Sequence, residues 1–398
     1  MKLDKPLNAV KDGRKQGRIP GAAIVRSIVL MFLTRLGSLN ALGQTGGNRA
    51  FWRQWLGCPL PSPDTIGRVA GLIDPQGVRD LGHQVYDRLK RGKALGPPAH
   101  GLIAAILDAH ETHATYRRHC EGCLQRVVRT ANGDRIQYYH RVVALSLATR
   151  DLYVQLDAEP MLPGEDEVAA ALRLLDRVID RYPRAFDLVI GDALYADPRF
   201  VAWARLHGKY AMAVLKDDRR DLMQDAQRLF ADMPPATVRE GTYSRECWDL
   251  EGFPCGPYGT TWPQAGGPVR VVRAHETRLV RRQLDGQVEE KVSDWFWVTT
   301  LPQRFASSGA IVQLGHGRWG IENEGFNELA NQWHADHVYR HEPQAMLVFW
   351  LLAQICLNIF TAFFRRNLKP ALRAAVTMLH VARQIQSCLY RPLARAPT

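Results

Sequence analysis

Apolar residues recur at helical spacing from Ala22 to Arg91, with one break at GCPLPSPDT, so the N-terminal segment is expected to be helical. Ser62 and Asp64 are candidate N-caps for a helix beginning DTIGRVAGLI. The GPP at Gly96–Pro98 reads as a linker. Beyond it the period shortens. GLIAAILDA is a short apolar run of strand length that ends on a single acid, Asp108. LQRVVRT and RIQYYHRVVALSLAT alternate and flank Asn132-Gly133, a strong hairpin signal, and DLYVQLDAE supplies a third strand. A helix over EDEVAAALRLLDRVIDRY comes next, then the strand FDLVIGD ending at Asp192, a helix over PRFVAWARLHG and the strand YAMAVLK.

Three antiparallel strands followed by alternating helix and strand predict an α/β fold built on an RNase-H-like mixed sheet. Residues 217–294 break the rhythm with Gly, Pro and short pieces such as VRVVRAHET, and read as a β-rich insertion before the strand WFWVTTL. Two helices are expected after it, over roughly 316–334 and 343–365. The division that follows is a basic helical domain at 1–95, a catalytic domain at 100–216 and 295–365, the insertion at 217–294 and a basic helical tail at 366–398. The run Met346–Phe364 is long enough to span a bilayer, yet Gln354, Asn358 and Thr361 recur along it as on a buried helix with one polar edge, so no membrane role is expected.

Composition is that of a soluble globular protein, and charge adds the first functional hint. The 398 residues hold 52 Lys and Arg against 40 Asp and Glu, which points to a polyanionic partner. The surplus sits at the ends. Residues 1–100 carry sixteen basic and six acidic side chains, residues 361–398 carry seven basic and none acidic, and the centre is mildly acidic. Arg14, Lys15 and Arg18, with Arg365, Arg366 and Lys369, are the expected phosphate contacts. The seven cysteines are odd in number and scattered, and the opening residues lack the apolar stretch of a signal peptide; both favour a reduced cytoplasmic setting.

Asp108 and Asp192 close apolar strands, where an ionised carboxylate is costly unless neutralised. A divalent cation suits such oxygen donors, and a pair of ions can drive in-line displacement at phosphorus. GRWGIENEGFNEL offers a third acid from among Glu322, Glu324 and Glu328, and places Arg318 four residues before Glu322 on one helix face.

The order of LDAHET, LVIGDALYAD and RWGIENEGFNEL resembles the DDE transposases of bacterial insertion sequences, in the subgroup with a β-rich insertion before the Glu. That resemblance implies a catalytic and metal-binding triad of Asp108, Asp192 and Glu322 and two Mg²⁺ or Mn²⁺ ions per site; Arg318, Trp319 and Asn323, beside Glu322 in the chain, are the expected DNA contacts of this segment. The resemblance also implies a homodimer or higher synaptic complex on double-stranded DNA, in the bacterial cytoplasm at the nucleoid. The expected activity is cleavage at the inverted-repeat ends followed by strand transfer. The alternatives are a metal-dependent nuclease without joining activity and a silent DNA-binding remnant. Two positions depart from the family pattern: Gly315 stands where a Tyr is usual and Leu329 where a Lys is usual.

HETHATYRRHCEGC crowds His110, His113, His119, Cys120 and Cys123 together. Cys120-x-x-Cys123 has zinc spacing, and two of the three histidines could complete a site. With no second CxxC, bystander thiols are the favoured expectation. Trp319, with Trp295, Trp297 and Trp333, is a candidate base-stacking surface, although aromatic residues beside apolar ones usually belong to the core.

Overall fold

A computed structural model describes residues 3–15, 17–98, 101–216, 221–240, 243–253, 265–282 and 286–390. Part of the expected insertion, 254–264 with Cys255, and the end of the basic tail, 391–398, lie outside the described residues. The chain forms two compact units. One comprises Met1–Gly96, Ala109–Arg181 and Ile321–Thr398; the other comprises Pro97–Asp108 and Tyr182–Gly320.

The first unit is organised around the helix Pro343–Asn367, which is apolar nearly all round because protein surrounds it. Helices Gly21–Leu33, Pro63–Ala70 and Pro75–Arg91 pack against it, so the basic N-terminal segment shares a core with the C-terminal helix. Local chemistry sets their starts. The Ser62 side chain accepts from Thr65 N, with Pro63 in the first turn, and the Glu342 side chain accepts from Gln344 N and Ala345 N. Ser62 is the cap and Asp64 sits in the first turn.

The strands of this unit are the outer part of β1 (Ala104–Thr115), β2 (Leu124–Thr130), β3 (Gly133–Ala148) and β4 (Tyr153–Pro160). β2 and β3 form the expected hairpin, with Gly133 at φ +101° paired to Thr130. β3 also pairs antiparallel with β4 and lies next to β1. The outer edge of β4 is covered by the long helix: Asn358 Nδ2 donates to Gln155 O at 2.7 Å, and Gln155 N donates to Asn358 Oδ1 at 2.9 Å. The polar edge read from the sequence is therefore a substitute strand partner inside the core. Asp157 and Glu159, also on β4 and almost buried, are neutralised by Arg79 and Arg177, and Glu159 by Arg173 as well.

In the second unit, Ala104–Ile106 of β1 pairs in parallel with β5 (Leu188–Gly191), and β5 pairs in parallel with β6 (Tyr210–Val214). β7 (Ala236–Glu240), β8 (Tyr243–Phe253), β9 (Val269–Arg281) and β10 (Val288–Thr299) continue as antiparallel neighbours, β10 joining β6. The protein is thus mixed α/β with a ten-stranded mixed sheet and an RNase-H-like order of strands. The region read as a β-rich insertion also holds the amphipathic helix Asp221–Ala231, which buries Leu222, Met223, Ala226 and Phe230. Surrounding Gly and Pro masked a periodicity only three turns long.

Candidate active site

The parallel register of β1 and β5 places Ala104 opposite Leu188, Ala105 opposite Val189 and Ile106 opposite Ile190. Carried two residues further, it sets Asp108 level with Asp192. Both side chains fall on the face shared by Ile106 and Ile190, because alternate strand residues point the same way. Adjacent parallel strands lie about 4.8 Å apart, so both aspartates follow the same end of the paired β1–β5 segment. Asp108 does not end its strand as expected, since β1 runs on to Thr115; it is the pairing with β5 that ends before it.

Asp192 caps the turn Ala193–Tyr195, its Oδ1 accepting from Leu194 N at 2.8 Å. Gly191 is required there, since a Cβ would stand 2.3 Å from the Tyr195 ring. Asp108 faces Arg318, whose Nη1 lies 3.2 Å from Asp108 Oδ2 and whose side chain is almost buried. Arg318 is the C-cap of helix Ser308–Gly317. The departure at Gly315 has a steric cause: a Cβ there would meet the Trp297 indole at 2.3 Å, so the buried Trp297 of β10 fills the space a larger side chain would need. Trp319 is 42% exposed and meets Trp295 edge-on at 5.5 Å. Beside them His316 Nε2 donates to Glu276 Oε2 at 2.8 Å, and Lys216 lies over the Trp295 ring.

The single helix expected over 316–334 is interrupted. Glu322–Phe326 forms a π-helical turn, followed by the α-helix Asn327–Trp333. Arg318 and Glu322 are therefore not an i, i+4 pair on one regular α-helix. Such turns have no sequence signature and recur at functional sites. Of the three glutamates, Glu328 is held by Arg35 at 3.4 Å and by Trp333 Nε1 at 3.2 Å, and Glu324 lies 3.6 Å from Arg365. Glu322 and Asn323 are exposed. Leu329 is fully buried and Trp333 with it, which removes both from any surface role.

Among the basic residues, Lys15 and Arg18 are exposed, whereas Arg14 forms an ion pair with Asp12 at 2.8 Å and donates to Ile19 O. Arg365 and Arg366 are exposed, and Arg366 also donates to the Gly92 and Lys93 carbonyls at the end of helix Pro75–Arg91.

The first unit gathers a second set of ligating atoms, Cys120, Cys123, His140 and His341, all within 4.8 Å of one another. None of the three crowded histidines belongs to it. His110 stacks between Phe326 and Trp350, His119 stacks on Tyr138, and His113 stands edge-on to His341. The partners come instead from β3 and from the segment before the long helix, at separations that no local motif encodes. Burial, aided by the facing His341 and His113, pushes the His140 imidazole down to about 4, and burial pushes the Cys120 thiol up to about 11.

A mixed sheet of RNase-H-like order, with one aspartate on β1 and another directly after β5, is an arrangement that can present carboxylates to a cation. The family model described as Transposase DDE domain matches residues 102–359, and the chain belongs to that family. No curated protein is matched by the chain. Membership makes this a transposase-family protein, for which DNA as partner and a divalent cation as cofactor are implied. The aspartates fit that cation: hard oxygen donors side by side, one of them balanced by a nearly buried guanidinium.

Proposed function

We propose that the protein is a DNA transposase that binds the terminal inverted repeats of its element and catalyses cleavage and strand transfer. The observation that supports this reading is the parallel pairing of β1 with β5, which ends two residues before both Asp108 and Asp192, in a chain of this family. Asp108, Asp192 and Glu322 are the proposed ligands of two Mg²⁺ or Mn²⁺ ions. When bound, such ions supply activation of the attacking oxygen and stabilisation of the departing one.

The chain's own residues orient the reaction. Arg318 holds the Asp108 carboxylate in place, and the Asp192 carboxylate is fixed by its bond to Leu194 N. Trp319 offers an exposed ring for a base at the processed end, with Asn323 as a further DNA contact. Lys15, Arg18, Arg365 and Arg366 contact phosphates, and Arg14 contributes through its ordered pair with Asp12. In the first step water attacks phosphorus and the bond to the 3′-oxygen breaks, leaving a 3′-hydroxyl. In the second, that hydroxyl attacks a target phosphorus and displaces the target's own 3′-oxygen. Two ends must be processed together, which calls for a dimer or larger complex at the nucleoid.

The test is a cleavage and joining assay with Mg²⁺ or Mn²⁺ on DNA carrying the repeats that flank the gene, run beside Glu322→Ala. Metal-dependent joined products absent from the variant are expected. Cleavage without joining would replace this reading with a nuclease, and binding with no chemistry would make the protein a silent copy.

A further inference from the structure

We propose that Cys120, Cys123, His140 and His341 form a structural zinc site that ties the β2–β3 hairpin to the start of the long helix Pro343–Asn367. The proposal does not depend on the transposase reading. It rests first on distances. Cys120 Sγ and Cys123 Sγ are 3.7 Å apart, and His140 Nε2 and His341 Nε2 are 3.3 Å apart. The sulfur-to-nitrogen separations are 3.3 Å from each cysteine to His140 and 3.5 Å from Cys123 to His341. A regular tetrahedron with Zn–S of about 2.3 Å and Zn–N of about 2.05 Å has edges of roughly 3.8, 3.3 and 3.6 Å for S···S, N···N and S···N. These five edges agree to about 0.3 Å, equivalent to under about 0.2 Å in each ligand bond, and the sixth, from Cys120 to His341, is within 4.8 Å.

Donor chemistry gives the second support. Two thiolates and two imidazoles, tetrahedrally disposed, select zinc over the hard cations that carboxylates hold. Two thiolate charges cancel the ion's charge, so the closed site is neutral overall, as its near-buried setting requires. Binding releases the two thiol protons to solvent and leaves each imidazole with its proton on Nδ1.

Backbone geometry supplies the third. Cys120-Glu-Gly-Cys123 forms a tight turn in which Cys123 N donates to Cys120 O and Cys120 N donates to Cys123 Sγ at 3.3 Å. Gly122 is needed there, since a Cβ would stand 2.9 Å from the Pro343 ring. The turn is thereby pressed against the first residue of the long helix, two residues beyond His341. One ion thus joins three stretches of chain: the turn before β2, the middle of β3 and the residues preceding the helix. Four donors fill the coordination sphere, which makes the site structural and leaves no open position for substrate.

The experiment is metal analysis of the full chain purified under reducing conditions with Zn²⁺ and dialysed against metal-free buffer, with Cys123→Ser, His341→Gln and Asp192→Ala in parallel. About one zinc per chain is expected in the wild type and in Asp192→Ala, and at least a tenfold lower content in the other two. Replacement by Co²⁺ in the wild type, which needs no variant to fold, is expected to give intense tetrahedral d–d absorption with a thiolate-to-cobalt band. A wild type without zinc, variants that keep it in full, or a cobalt spectrum lacking the thiolate band would each overturn the proposal.

Discussion

Asp108 and Asp192 present carboxylate oxygens from neighbouring strands, partly open to solvent, with one counter-charge already in place. Cys120, Cys123, His140 and His341 present sulfur and nitrogen from three stretches of chain, turned towards one another. The first arrangement leaves room for a substrate oxygen; the second fills a tetrahedron with protein atoms. If both proposals hold, the contrast teaches that one chain separates a working cation from a structural one by donor type and by closure.

The sharpest way to break this comparison is to remove an oxygen ligand. Asp192→Ala is expected to lower strand cleavage by about a thousandfold or more, since several kcal/mol of charge stabilisation are lost. DNA affinity by gel shift and the unfolding midpoint should barely move; a comparable loss of folding would assign Asp192 to the structure instead.

Removing a sulfur ligand should do the reverse. Cys123→Ser, or a zinc chelator on the wild type, is expected to lower the thermal unfolding midpoint by about 5 °C or more, as structural zinc contributes directly to folding. An unchanged midpoint in calorimetry would mean that packing alone holds the turn against Pro343.

A third measurement asks whether the second unit depends on any ion. Arg270 is 2% exposed and its guanidinium is bonded to Asp249 and to the Leu301 and Ala306 carbonyls. Asp249→Ala is expected to cost about 3 kcal/mol in denaturant unfolding, because it strands a buried cation. Burial pushes the Asp249 carboxyl up, but bonds from Arg270, Gln303 and Ser308 outweigh it and hold the group below the usual carboxylate range. Its stabilisation is therefore fully present above about pH 3.9 and is lost as pH falls through the lower folded value. Insensitivity of this contribution to chelators would separate it from both metal groups.

The smallest effect is expected at Trp319. Its replacement by Ala should weaken binding to processed ends by about tenfold, within the range for one stacked base, and leave stability unchanged. Trp333→Ala serves as the contrast, since that side chain is fully buried and its loss should appear in unfolding rather than binding.

The sequence legibly carried the strand and helix order, because alternation and helical periodicity are local signals. It carried Asp108 and Asp192 as acids on apolar strands, but only the β1–β5 register sets them level. The π-turn at Glu322–Phe326 and the helix Asp221–Ala231 escaped it: the first has no local pattern and the second is short. Gly315 and Leu329 depart from the family pattern; the indole of Trp297 accounts for one and core burial for the other.

By itself, then, the sequence determined which segments alternate, which are amphipathic, where helices are capped and which acids accompany apolar strands. Each of these follows from a few consecutive residues. Tertiary structure alone decided that Cys120 and Cys123 meet His140 and His341 rather than the three histidines beside them. On β1 His110 turned towards Phe326, and His119, in the stretch between β1 and β2, stacked on Tyr138, while packing of the long helix brought in His341 from more than two hundred residues away. Such a meeting is fixed by how faces pack, and no local run of residues encodes it.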